Sequence, residues 1–218
     1  MDLKPLSPKT EAAVPADLPL EQAVDRAKAE GLPISELCFS DLDCNGLDLS
    51  GVNFNCVIFE NCRLTSCVLR KCGFTDVRFS GCDLSNCVFS GSLFRRTAFE
   101  DTKGLGADFS ECRFYSLRLL SGSFRLADFS YSAFDRAELE GTGFSEGFFS
   151  SVSFKRTALQ NCDFTRVSFF KTPLAGLDLT ACTIEEIALS EHGTELQGAV
   201  VDLFQAADLS RLLGLKIK

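Results

Sequence analysis

The sequence predicts an all-β solenoid, a chain wound into stacked coils and closed by a short helix at each end. Three observations predict it. From Phe39 to Leu189 every fifth residue is Phe, Leu or Ile, with two exceptions, Cys44 and Gly104, among 31 positions. The residue two before each of these is always Leu, Ile, Val, Cys, Thr, Ser, Ala or Gly, and neither position carries a charge. Composition is skewed the same way: 18 of the 21 Phe fall in this one phase, against 2 Tyr and no Trp in the whole chain. A period of five with two inward positions suits neither a helix at 3.6 nor a flat strand at 2, so the backbone has to turn at a fixed point in every repeat. The remaining three positions are rich in Ser, Asn, Asp, Gly, Arg and Glu, as solvated turns should be.

Units such as Ala107-Asp108-Phe109-Ser110 and Ala127-Asp128-Phe129-Ser130 resemble the signature of the pentapeptide-repeat family, a small residue, Asp or Asn, Leu or Phe, then two polar residues. The resemblance covers about 155 residues and implies a right-handed quadrilateral β-helix in which four pentapeptides make one coil, so that residues 20 apart stack. At a strand spacing of roughly 4.8 Å per coil the rod would be about 37 Å long. The large residues would point at the axis and the small ones fill the tight space beside them.

Four segments follow in order. Residues 1–16 are Pro-rich and read as a flexible leader. Residues 17–36 read as a capping helix and lead-in, with Asp17 as N-cap and Gly31 as the stop. Residues 37–191 are the solenoid. Residues 192–218 read as a C-terminal cap: Asp202 can cap a helix through Leu213, with Phe204, Leu209, Leu212 and Leu213 at helical spacing, Gly214 after it, and an apolar tail at Leu215 and Ile217. Covers of this kind are needed because a solenoid ends in unpaired strand edges.

Little in the chain suggests catalysis. Eight of the 11 Cys (Cys62, Cys67, Cys72, Cys82, Cys87, Cys112, Cys162 and Cys182) occupy the small inward position, so packing accounts for their spacing and no metal site is expected. Stacked pairs such as Cys62 and Cys82 are read as buried thiols that strong oxidant could bridge. His192, the only histidine, lies beyond the last repeat with no recognisable nucleophile motif and reads as a surface residue. Gly104-Leu105-Gly106 keeps the repeat register and lacks the strand-to-helix setting of a phosphate loop; Leu105 is expected to fill the hole at Gly104. The expectation is a binding protein, not an enzyme, with no cofactor and no metal. No segment reads as a signal peptide or a membrane span, which places the chain in the cytoplasm.

The formal charge of −8 disfavours a general nucleic-acid binder. Position modulo 20 assigns each charge to a side of the coil. The side of Phe39, Phe59, Phe79 and Phe99 carries Asp41, Glu60, Glu100, Asp101, Glu138, Glu140 and Asp178 against Arg78 and Arg118, a net −5. The side of Phe54, Phe74 and Phe94 carries Arg95, Arg96, Arg113, Arg136, Lys155 and Arg156 against Asp76 and Asp135, a net +4; the other two sides are −2 each. A rod with an acidic stripe can imitate the charge of duplex DNA and occupy a protein's DNA-binding surface; the alternative is a solvated charged face.

The segment from Leu203 to Leu215, with Gln205-Ala206, Leu212-Leu213 and Leu213-Gly214, is similar to the ending of the Qnr and MfpA groups of that family. The resemblance implies a homodimer joined end to end through Phe204, Leu209, Leu212, Leu213 and Leu215, a DNA-shaped rod of charge roughly −16. It also implies a type II topoisomerase partner, DNA gyrase or topoisomerase IV, protected against a quinolone or another poison. Two features depart from the pattern: the register runs without the projecting loops of many Qnr proteins, closer to MfpA, and the basic side does not fit a uniform DNA mimic. That side could grip an acidic protein surface or a nucleic-acid backbone held by the target. The main alternative is a generic protein-interaction scaffold. Direct nucleic-acid binding is disfavoured by net charge and by the lack of aromatics interleaved with the basic residues.

Overall fold

A computed structural model describes residues 4–212 and Gly214. The chain winds into a parallel β-solenoid in which each residue pairs with the one 20 positions on, Phe54 with Phe74 and Phe59 with Phe79. The strands are β1 (Val14–Pro15), β2 (Ile34–Ser35), β3 (Leu37–Ser40), β4 (Asp43–Asn45), β5 (Asn53–Glu60), β6 (Arg63–Thr65), β7 (Gly73–Ser80), β8 (Leu93–Glu100), β9 (Arg113–Leu120), β10 (Ala133–Glu140) and β11 (Ser153–Gln160). One sheet runs β1-β3-β5-β7-β8-β9-β10-β11, with β2 also on β5, and β4 pairs β6 separately. Each eight-residue strand turns one corner, at Cys56, Asp76, Arg96, Ser116, Arg136 or Arg156, where φ is positive. It therefore supplies two sides of a coil, side A on the Phe54 column and side B on the Phe59 column. Sides C and D, on the Leu64 and Leu69 columns, are held by single bridges such as Arg63 with Asp83 and Val68 with Val88.

The inward columns hold the rod together. On side A the rings of Phe74, Phe94, Phe114 and Phe134 stack face to face at 4.7–4.9 Å, and all are buried. Such offset pairs add about 0.5–1.5 kcal/mol each beyond the area they bury. The small column explains its own chemistry: a thiol or hydroxyl there donates to the carbonyl 23 residues back, Cys62 to Phe39 at 3.2 Å, Cys112 to Phe89 at 3.2 Å and Ser92 to Leu69 at 2.8 Å. Most buried Ser, Thr and Cys residues at these sites thereby meet their hydrogen-bonding need, whereas the Ser132 hydroxyl has no partner. Thr97, on the column inside the long strands, has no such acceptor, and its neighbours in that column, Val57, Val77, Leu117 and Ala137, are apolar.

Gly104 is filled differently from the sequence expectation. Leu105 stays outside, 44% exposed. The ring of Phe124, one coil on, leans into the vacancy so closely that a Cβ on Gly104 would lie 2.5 Å from its Cδ1.

Both ends are closed. The leader expected to be flexible lies against the rod: β1 adds to β3, the amides of Val14 and Ala16 donate to Glu36 and Cys38, and the Lys9 amide donates to Asp76 at 2.9 Å. The first helix, α1 (Leu20–Glu30), starts later than Asp17, because Pro19 drives the residue before it out of helical conformation; Pro19 is the N-cap and Gly31 stops the helix with φ 66°. Leu20, Ala23, Val24 and Ala27 bury its inner face. At the other end α2 (Leu203–Leu212) is capped as expected: Asp202 accepts from the Gln205 amide, and Gln205 Oε1 accepts from the Asp202 amide. Gln205 Nε2 donates to the Leu179 and Cys182 carbonyls at 2.8 Å each, satisfying acceptors at the end of the rod.

Candidate functional site

Side B places its acids unevenly. Glu60, Glu100 and Glu140 fall in one outward row, with Ser80 and Leu120 between them, so consecutive carboxylates stand two coils or roughly 9.6 Å apart. Asp101 stands at the corner beside Glu100, while Asp41 lies at the N-terminal end. Glu138 is paired with Arg118 at 3.0 Å and contributes no free charge. Asp178 sits beyond the last strand, where the hydroxyl and amide of Thr180 hold its carboxyl below the usual range. Glu60, Glu100, Asp101 and Glu140 are thus the part of the predicted acidic set that forms a stripe.

Side A is simplified by two ion pairs. Arg96 grips Asp76 through Nε at 2.6 Å, and Arg156 grips Asp135 through Nε at 2.8 Å. Burial pushes the Asp76 carboxyl up, but Arg96 and the Lys9 amide outweigh it and leave it below its ordinary value. Arg95, Arg113, Arg136 and Lys155 remain without a carboxylate among the described residues. The expectation that no aromatic interleaves with these bases is corrected: Tyr115 is exposed on side A between Arg95 and Asp135, with Arg95 5.9 Å from its ring centre. It was legible in the sequence as the outward neighbour of Phe114.

The C-terminal helix divides the predicted dimer seam. Phe204 is 81% exposed and Leu212 50%, as is Leu203 at 81%, which the sequence pattern passed over. Leu209 is buried against the last coil of its own chain, so it seats the helix. Leu213 and Leu215 lie outside the described residues.

All 11 cysteines are free thiols, and burial pushes Cys72 and Cys112 up to about 11 and about 12. His192 is exposed. Among the described residues no group of His, Cys, Asp and Glu could hold a metal ion, and no helix is long and apolar enough to cross a membrane. Two hollows of about 300 Å³ each lie at the rod's ends, one under α1 and one beneath Leu209 and Leu212, away from both charged sides.

Among the described residues the repeats build solvent-facing sides on which the charged rows lie. Residues 39–71 match the family model for pentapeptide repeats and residues 72–146 that for a pentapeptide repeat region. The chain belongs to the pentapeptide-repeat proteins. Its fold is similar to that of QnrB1, a plasmid-mediated fluoroquinolone resistance protein, in two trypsin-treated variants. The first has a TM-score of 0.53 at 19% identity and the second 0.51 at 18%, each over 83% of this chain and 99% of the other. No curated protein matches the sequence.

Proposed function

We propose that this protein acts by binding, as a DNA-like partner of DNA gyrase or topoisomerase IV that protects the enzyme from a poison of the quinolone type, in the cytoplasm. The observation that carries the proposal is the stripe of Glu60, Glu100, Asp101 and Glu140, a line of like charge along one side of the coil that a DNA-binding surface would attract. The likeness of fold to a fluoroquinolone resistance protein and the exposed apolar face of α2, suited to an end-to-end homodimer, support it. The competing assignment is a general interaction scaffold, favoured by the basic side A. Supercoiling by purified gyrase, with and without a quinolone, in the presence of increasing protein, separates the two. Rescue from the drug, weakened by charge reversal at Glu100 and Glu140, is the expected outcome. No effect on either reaction with gyrase from the source organism would leave the scaffold in front.

A further inference from the structure

The sheet of sides A and B stops one coil early. Residues 173–180 lie where the next strand should be, yet among the described residues no backbone hydrogen bond joins them to β11. They bond onward instead, Leu174 to Glu195, Gly176 to Gly198 and Leu179 to Val200. The coil leaves β11 after Thr172, whose hydroxyl still accepts from the Val152 amide, and returns at Ala181, whose carbonyl accepts from Asn161. Pro173, the first residue of the missing strand, has no N–H to donate and supplies the physical cause. The opening is one strand long. Phe154 is only half-buried where Phe134 and Phe114 are fully buried, and a hollow of about 190 Å³ lies between Phe154, Thr157, Ala175 and Leu177.

We propose that the open edge of β11 is a docking site for an extended segment of another protein, apolar toward the core and acidic on its outward face. The edge offers main-chain groups to an added strand, the general basis of β-augmentation. An inward apolar residue would pack against the half-buried ring of Phe154, beside the hollow that Ala175 and Leu177 line. The outward residue opposite Lys155 would meet an ammonium that no carboxylate holds, since Asp135, its cross-strand neighbour, is taken by Arg156. Opposite charges so placed stabilise a sheet pair, and like charges destabilise it. A second copy fits poorly, because β11 carries no acidic residue, so pairing two of these edges sets no carboxylate opposite Lys155 in any register. On side B the outward neighbours Ala158 and Gln160 are uncharged and demand nothing acidic. The inference does not rest on a topoisomerase partner.

The test begins with amide hydrogen exchange on the free protein. The amides of Phe154, Arg156 and Leu159 are expected to exchange much faster than Phe134, Arg136 and Leu139 on β10, and Pro173→Ala, which restores a donor, is expected to slow them. A fluorescein-labelled peptide alternating Val and Glu should then bind, protect those three amides, and lose roughly tenfold or more in affinity with Lys155→Glu. The matched Val and Lys peptide should not bind. Protection of β11 in the free protein equal to that of β10 overturns the proposal. So does protection that appears only as protein concentration rises, which would assign the edge to self-association, or peptide binding indifferent to both Lys155→Glu and Pro173→Ala.

Discussion

At 30 of the 31 corner positions from Glu36 to Glu186, all but Ala181, the residue two after the large inward side chain takes the left-handed conformation, and 23 of these are not glycine, with φ between 49° and 63°. That conformation costs an L-residue about 1–2 kcal/mol. Here it is offset because the corner amide donates to the next coil, Asn61 to Ser80 and Ser66 to Ser85, for example. None of the 31 corner positions from Glu36 to Glu186 is Val, Ile or Thr, the residues least tolerant of it. The pattern was present in the sequence but needed φ values to acquire a meaning. Gly51 has φ 76° with open space around its missing Cβ, so Gly51→Ala isolates the backbone effect. A loss of about 1 kcal/mol is expected in urea unfolding. Gly104→Leu tests the other special glycine. It should destabilise by about 1–3 kcal/mol through collision with Phe124. Gly104→Leu with Phe124→Leu should recover most of that, a coupling measurable as a double-mutant cycle.

At the scale of elements, the C-terminal end of the rod depends on two side chains that no repeat pattern singles out. Glu195, 3% exposed, accepts from the amides of Lys171 and Ser190 and the Ser190 hydroxyl, pinning the short turn that closes the last coil. Burial pushes its carboxyl up, but its own backbone amide together with those bonds outweighs burial and holds it below its ordinary value of 4.5. A carboxylate depressed in the folded state contributes stability above its unfolded pKa and loses it as pH falls through the folded one. Glu195→Ala should therefore cost about 1–3 kcal/mol at neutral pH, by leaving three donors unpaired. The gap to the parent should shrink progressively as pH drops below about 4.5, followed by circular dichroism during denaturation. Gln205→Ala removes a reciprocal cap and two carbonyl contacts, and a loss of about 1–2 kcal/mol with fraying of α2 is expected from exchange of its amides.

For the whole molecule, the paired charges matter as much as their number. Among the described residues side A keeps four cations without a carboxylate and side B a stripe of four acids, so the rod presents adjacent faces of opposite charge across one corner. The exposed Phe204 and Leu212 predict that an end-to-end dimer, if formed through α2, is dissociated by Phe204→Asp with Leu212→Asp. Sedimentation should then find twice the chain mass for the parent and the single mass for the variant. A monomeric parent at micromolar concentration would remove the seam.

The five-residue period determined the fold, the inward columns and the assignment of every charge to a side, because each repeat meets the same neighbours and local pattern becomes global position. The C-terminal cap was legible for a similar reason: Asp202 and Gln205 are sequence neighbours, and their reciprocal bonds are local. Contacts between coils and with the ends were decided by the tertiary structure alone. Whether Leu105 or Phe124 fills Gly104, which carboxylates are cancelled by arginines, whether Leu209 faces inward, and that Pro173 leaves β11 unpaired all depend on groups about 20 residues apart competing for the same space or the same hydrogen bond.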